Sequence, residues 1–411
     1  MNRIALLLPV FLVAFISTSV TADDWPFWRG PDRNGIAWAG QNPPTEIGPE
    51  KNVKWSVDLP GRSHGSAIVC GDKVFIAAAE EEGQLQSVFC FNRSSGEQIW
   101  KTVVHRDGFK QKSNKKASWA SGSPACDGER VFINFVSGNA AYTTALDLDG
   151  KQIWQKKICD YKIHQGYGSS PAIWKNLVIV SADNKLGGAV CAFDRLSGEE
   201  VWRADRAKMP NYPSPVILKA AGKDQLFLTG TEKVTSYDPV SGKVNWEIDG
   251  ATTECVTTTV TDGTHIYSSG GYPKNHVAAI AADGSGKVVW ETKDRVYVPS
   301  MLVQDGTLYG VMDSGVAICW NAASGEELWK DRLGGAFSSS PVLVNDYIYA
   351  ANEAGTLYVY RAGREGLKVV SENKVGDEVF ASPVICGGNI FLRVAFYDGE
   401  KRSEKLYCYG K

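Results

Sequence analysis

Asp194-Arg-Leu-Ser-Gly198-Glu-Glu-Val-Trp202 decides the fold, because it returns along the chain. Asn92-Arg-Ser-Ser-Gly96-Glu-Gln-Ile-Trp100, Asp238-Pro-Val-Ser-Gly242-Lys-Val-Asn-Trp246 and Asn321-Ala-Ala-Ser-Gly325-Glu-Glu-Leu-Trp329 repeat it. Asp147 to Trp154 is a shortened copy and Asp283 to Trp290 a variant. The tryptophans at 55, 100, 154, 202, 246, 290 and 329 are spaced by 45, 54, 48, 44, 44 and 39 residues. Between them run short apolar strands separated by Asp-Gly-like and Gly-containing turns. A period in the forties with four short strands per unit predicts a propeller blade. One such blade cannot bury both faces, so blades stack radially, and the Trp of each outer strand wedges between neighbours.

The innermost strands give the count. They are expected to begin near Ser66, Ser123, Ser170, Ser214, Thr258, Ser300, Ser340 and Ser382, which makes eight blades, with seven as the fallback. The last unit stops at Tyr407-Cys408-Tyr409 without an outer strand, and Asn52-Val-Lys-Trp55 is an outer strand without a blade. Pairing the two closes the ring and leaves no free sheet edge where the chain ends meet. The fold expected is therefore all-β, an eight-bladed β-propeller of four-stranded antiparallel blades over 51–411, closed by an N-terminal outer strand and preceded by an arm, 23–50.

Arg3 and the apolar run from Ile4 to about Ile16, followed by Val20-Thr21-Ala22, have the form of a signal peptide cleaved near Ala22. The run is too short to span about 30 Å of hydrocarbon, so a periplasmic or secreted protein is expected, with no transmembrane segment in the mature chain. Lys and Arg total 44 against 46 Asp and Glu. That near-neutral balance gives no reason to propose nucleic acid as a partner. Nine cysteines is an odd number, and Cys90, Cys319 and Cys408 fall at one repeat position, as Cys70 and Cys386 do at another. They are expected to be small buried hydrophobes with free thiols. No Cys-x-x-Cys pair or His-rich cluster points to a metal.

The (Asp/Asn)-x-x-Ser-Gly-x-x-x-Trp ending resembles the repeat of the pyrroloquinoline quinone-type propellers, and the resemblance covers nearly all of the mature chain. Trp25-Pro-Phe-Trp28-Arg-Gly-Pro-Asp-Arg-Asn-Gly35 and Asn114-Lys-Lys116-Ala-Ser-Trp119-Ala-Ser-Gly-Ser-Pro124 resemble stretches of exported bacterial quinone-binding-like propeller proteins. The superfamily holds both quinone-dependent alcohol dehydrogenases and an envelope scaffold, so the resemblance implies a fold and two competing functions. The dehydrogenase pattern includes two adjacent cysteines, a Ca²⁺ held by acidic and amide oxygens, and a catalytic Asp. This chain has no Cys-Cys dipeptide, and no catalytic or cofactor residue carries over by motif. No cofactor is expected, and pyrroloquinoline quinone with calcium enters only under the alternative, an atypical quinone-dependent oxidoreductase. No Gly-x-Ser-x-Gly or His-Glu-x-x-His motif supports other chemistry.

Function in a propeller is expected at the channel mouth. Two to four residues before each expected inner-strand start lie His64, Trp119, Tyr167, Tyr212, Glu254, Tyr297, Phe337 and Phe380, one per blade and six of them aromatic. They form either a binding ring or a set of packing plugs that seal the channel. The stretch from Lys101 to Ser118 is the longest connection and carries Lys110, Lys112, Lys115 and Lys116, candidates to contact an anionic group. Arg29 and Arg33 are expected to pack the arm back onto the propeller, since Trp25, Trp28 and Trp38 would otherwise expose large apolar surface. These features predict a non-catalytic, monomeric binding or scaffolding protein of the envelope, whose partner is an envelope protein or a polysaccharide.

Overall fold

A computed structural model describes residues 23–111 and 114–411. The expected signal peptide lies outside the described residues, as does Lys112. The 32 strands form eight four-stranded antiparallel sheets. Seven blades are each built from consecutive strands, and the eighth takes Val53–Leu59 as its outer strand beside Lys401–Tyr409. Trp55 pairs with Cys408, which is the expected closure, and the seven-blade alternative falls away.

The repeat acts between blades. The Trp55 indole lies 8% exposed, and its N–H donates to the Arg93 carbonyl of the first blade at 3.0 Å. Gly96, in the turn of that blade, sits over the same ring. Its φ is +74°, and a Cβ there would stand 2.7 Å from the indole. Only glycine meets both demands. Trp100, Trp154, Trp202, Trp290 and Trp329 likewise donate to backbone carbonyls of the following blade. Trp246 donates to the Gln225 side chain of its own blade. The Asp and Asn that open the motif build its turn. Asp194 Oδ1 accepts from the Leu196 and Ser197 amides at 3.0 and 2.8 Å, and these bonds hold its carboxyl below the usual carboxylate range.

A second circle of bonds runs around the axis. Each innermost strand is preceded, two residues earlier, by a hydroxyl residue. Ser66, Ser123 and Ser170 donate their amides to the Oγ of Ser123, Ser170 and Ser214, each at 2.9 Å. Thr258, Ser300, Ser340 and Ser382 donate theirs to Ser300, Ser340, Ser382 and Ser66 at 2.8–3.0 Å. Eight blades are thus stitched hydroxyl to amide. The link between Ser214 and Thr258 is replaced: Thr258 Oγ1 accepts the indole N–H of Trp28 at 2.8 Å.

Trp28 comes from the arm, which crosses the far side of the channel. Trp25 bridges Val69, Pro26 O accepts from Cys126 N, and Arg33 Nη2 donates to Ile173 O at 2.7 Å. Arg29 donates to the carbonyls of Met301 and Pro341. Trp25 is buried as expected, but Trp38 remains 44% exposed. Trp38 belongs to the connection back toward the outer strand, beyond the channel.

All nine cysteines are free and eight are buried, in agreement with their repeat positions. Burial pushes the thiols of Cys191 and Cys386 up to about 12. Among the described residues no helix is long and apolar enough to cross a membrane.

Candidate functional site

The arm closes one end of the channel, and the loops leading into the inner strands line the other. Between them lies a cavity of about 820 Å³. Seven of the eight ring residues expected from sequence line it: His64, Tyr167, Tyr212, Glu254, Tyr297, Phe337 and Phe380. Phe337 is 1% exposed and packs into its wall. The eighth, Trp119, is absent from the lining. Its ring stacks on Phe109 at a centroid distance of 4.5 Å, within the core between the first two blades. An aromatic in the preceding loop claims its face, and a count of residues before the strand does not show that partner.

The basic stretch divides in the same way. Blade 1's outer strand runs on to His105, which shortens the loop, and Lys101 pairs with Glu80 there. Lys116 lines the cavity and binds Glu353 at 2.8 Å. Lys110 and Lys115 are exposed and outside the lining. Arg62 pins the loop by donating to the Lys115 and Lys116 carbonyls at 3.1 and 3.0 Å.

The cavity's charged groups come in couples. His164 Nε2 lies 3.1 Å from Glu254 Oε1. Arg295 lies 4.0 Å from Asp313 Oδ2, donates to the Gly271 carbonyl, and covers the Tyr297 ring at 5.0 Å. Glu353 accepts from Lys116 and, at 2.6 Å, from Ser338 Oγ. Asp313 accepts the Tyr297 amide at 2.9 Å, while burial raises its carboxyl above the usual range. His164, Arg295, Asp313 and Glu353 were not among the residues expected from sequence. Asp313 and Glu353 occupy equivalent turns between second and third strands, Met312-Asp313-Ser-Gly315 and Asn352-Glu353-Ala-Gly355. Aligning those turns across blades is the signal that finds them.

His64 stacks on Phe380 at 4.3 Å, and its Nε2 is buried without a hydrogen-bond partner among the described residues. Desolvation, reinforced by Arg62 and Arg402, drives its pKa well below the ordinary value. His105, edge-on to Phe135, is lowered to about 4 by burial alone. Both folded values lie below that of an unfolded His, about 6.5. Their contribution is therefore fully present above that pH and is lost as pH falls through the folded values. Replacing His105 by phenylalanine is expected to flatten the decline of stability between about pH 6.5 and 4 by close to one proton. Urea unfolding across that window checks this, and an unchanged slope would refute it.

This geometry defines a class, the pyrroloquinoline quinone-like β-propeller with a blind channel. Residues 47–162, 84–273 and 273–369 match the family model described as "Outer membrane protein assembly factor BamB". The chain belongs to that family. Over 372 residues it is 25% identical to the outer membrane protein assembly factor BamB of Burkholderia pseudomallei, covering 85% of this chain and 88% of that protein. It is 23% identical to a polyvinylalcohol dehydrogenase of a Sphingopyxis species across 85% of this chain, and spans only 50% of that enzyme. Among solved structures, a europium-containing methanol dehydrogenase superposes with TM-score 0.71 at 11% identity, over 95% of this chain and 98% of that one. BamB from Moraxella catarrhalis gives 0.62 at 14%, over 86% and 99%. At such identities the structural likenesses show the fold alone.

Proposed function

We propose that the protein is a non-catalytic binding propeller of the cell envelope, a monomer that docks an envelope protein or polysaccharide at its cavity. The observation that carries this is the pairing of charges on an aromatic-walled, blind cavity. Glu254, Asp313 and Glu353 are the acids in its lining, and each is already matched to a base. A Ca²⁺ centre needs several carboxylate and amide oxygens converging on one point. Among the described residues no group of three or more His, Cys, Asp or Glu is placed to hold a metal. Of the bases, Lys116, His164 and Arg295 are tied up and His64 is a buried imidazole whose pKa is driven down, so three convergent cations for a tricarboxylate quinone are not on offer. This donor set does not fit a calcium-held quinone. Family membership and the signal-like N-terminus support an exported, envelope location.

Aromatic side chains concentrate interaction energy. Tyr212 and Tyr297 face the cavity from blades separated by one neighbour. Changing both to alanine is expected to weaken capture of the native partner from an envelope extract by about 2 kcal/mol, roughly thirtyfold, with circular dichroism unchanged. Unchanged capture would move the site off the cavity.

The polyvinylalcohol dehydrogenase relative favours a second function, quinone-dependent alcohol oxidation at an atypical site.

A further inference from the structure

The cavity floor is the circle of hydroxyls that stitches the blades. Seven of these oxygens accept a backbone amide and the eighth accepts the Trp28 indole. Among the described residues, none of the eight hydroxyls donates its own proton to a protein atom. Seven of them line the cavity. A hydroxyl that accepts a hydrogen bond is a better donor for it, and buried donors seek acceptors. The ring is therefore an excess of polarised O–H groups drawn around one axis.

Beneath it sits a buried cation. Arg29 is 2% exposed, and among the described residues it has no ion pair. Its Nη groups donate to the carbonyl of Asn34 and to those of Met301 and Pro341, the residues that follow ring members Ser300 and Ser340. Its Nε has no partner among the described residues. With no carboxylate to offset burial, its pKa falls to about 9. Arg29, Trp28, Ser66, Ser123 and Ser382 share a void of about 10 Å³, the space of one water, between ring and arm. Positive charge without a carboxylate partner thus lies across that void from the unused donors. The acids of the wall, Glu254, Asp313 and Glu353, each face a basic side chain of their own instead.

We propose that the floor of the cavity is an oxyanion site, which seats the carboxylate of a ligand whose apolar body lies along Tyr167, Tyr212, Tyr297 and Phe380. This rests on the cavity being the binding site. Because the channel is blind, the carboxylate belongs to a small molecule or to the end of a chain.

The test is calorimetric titration of the mature protein with 3-phenylpropionate and with its neutral amide. The acid is expected to bind at least about tenfold tighter, the scale of a charge-assisted site over a neutral one. A tripeptide with a free C-terminal phenylalanine and glucuronate are titrated alongside. Tighter binding of the first assigns the carboxylate to a polypeptide end, and of the second to an acidic sugar, and either supports the site. In Ser170→Ala/Ser340→Ala the preference for acid over amide is expected to vanish. Should that variant not fold, the comparison of acid and amide on the native protein decides alone. Equal affinities for acid and amide, a preference untouched in a folded variant, or no binding of any acid would overturn the oxyanion floor. None of these outcomes involves quinone-dependent turnover, so this failure is distinct from failure of the non-catalytic function.

Discussion

Trp55→Ala is expected to lose about 3–5 kcal/mol of stability, the cost of emptying a large aromatic site. Trp55 is buried against Phe391 of its own blade at a centroid distance of 5.8 Å, and its indole N–H crosses to Arg93 in the first blade. It also supplies the surface on which Gly96 rests. Its strand, Val53–Leu59, is the outer strand of the blade otherwise built from residues 384–409. The cavity left by alanine therefore lies on the seam that closes the ring. Collapse of the neighbours cannot fill it without pulling the first and last blades out of register. Chemical denaturation followed by circular dichroism measures the effect. A loss under about 1 kcal/mol would mean that closure rests on the strand ladder and not on the indole.

Asp183→Ala should cost as much, by a different cause. Arg206 donates Nε to both Asp183 oxygens at 3.1 and 3.2 Å and Nη2 to Oδ2 at 2.9 Å, with both side chains under 5% exposed. The same guanidinium donates to Tyr237 OH at 3.0 Å, which ties the third blade to the fourth. Alanine at 183 strands a buried cation, and loss of one partner of such a pair costs about 3–5 kcal/mol. Removing both charges in Asp183→Ala/Arg206→Met is expected to restore much of that loss, since no unpaired ion remains. A double variant as unstable as the single one would show that packing and not the stranded charge sets the cost.

What the sequence discloses follows from how far each interaction reaches. The blades are legible because a Gly of the repeat rests on the Trp of the preceding blade at six of the eight junctions, so the spacing itself records the stacking. Ring closure is legible by counting, since one strand at each end lacks a partner until the two are joined. The aromatic ring is legible to the extent that one residue per blade enters the channel from the two to four positions before the expected start of the inner strand. Trp119 departs because Phe109, ten residues earlier, stacks over it, and an offset carries no information about such a partner. The charge couples are hidden for the same reason: His164 meets Glu254, and Lys116 meets Glu353, across loops from different blades. The role of Trp28 is the least visible. It reaches Thr258 across 230 positions, and nothing local marks the one hydroxyl link that it replaces. The Ser-Pro starts read as strand boundaries, while their hydroxyls build the floor.

Titration of the purified protein with pyrroloquinoline quinone and Ca²⁺, followed by a dye-linked alcohol oxidation assay on the same sample, separates binding without chemistry from catalysis. With every cavity carboxylate matched to a base, no micromolar or tighter association is expected, about −8 kcal/mol being beyond what that donor set supplies, and no alcohol-dependent dye reduction. Micromolar quinone binding accompanied by alcohol oxidation would contradict the binding propeller and make the protein a dehydrogenase.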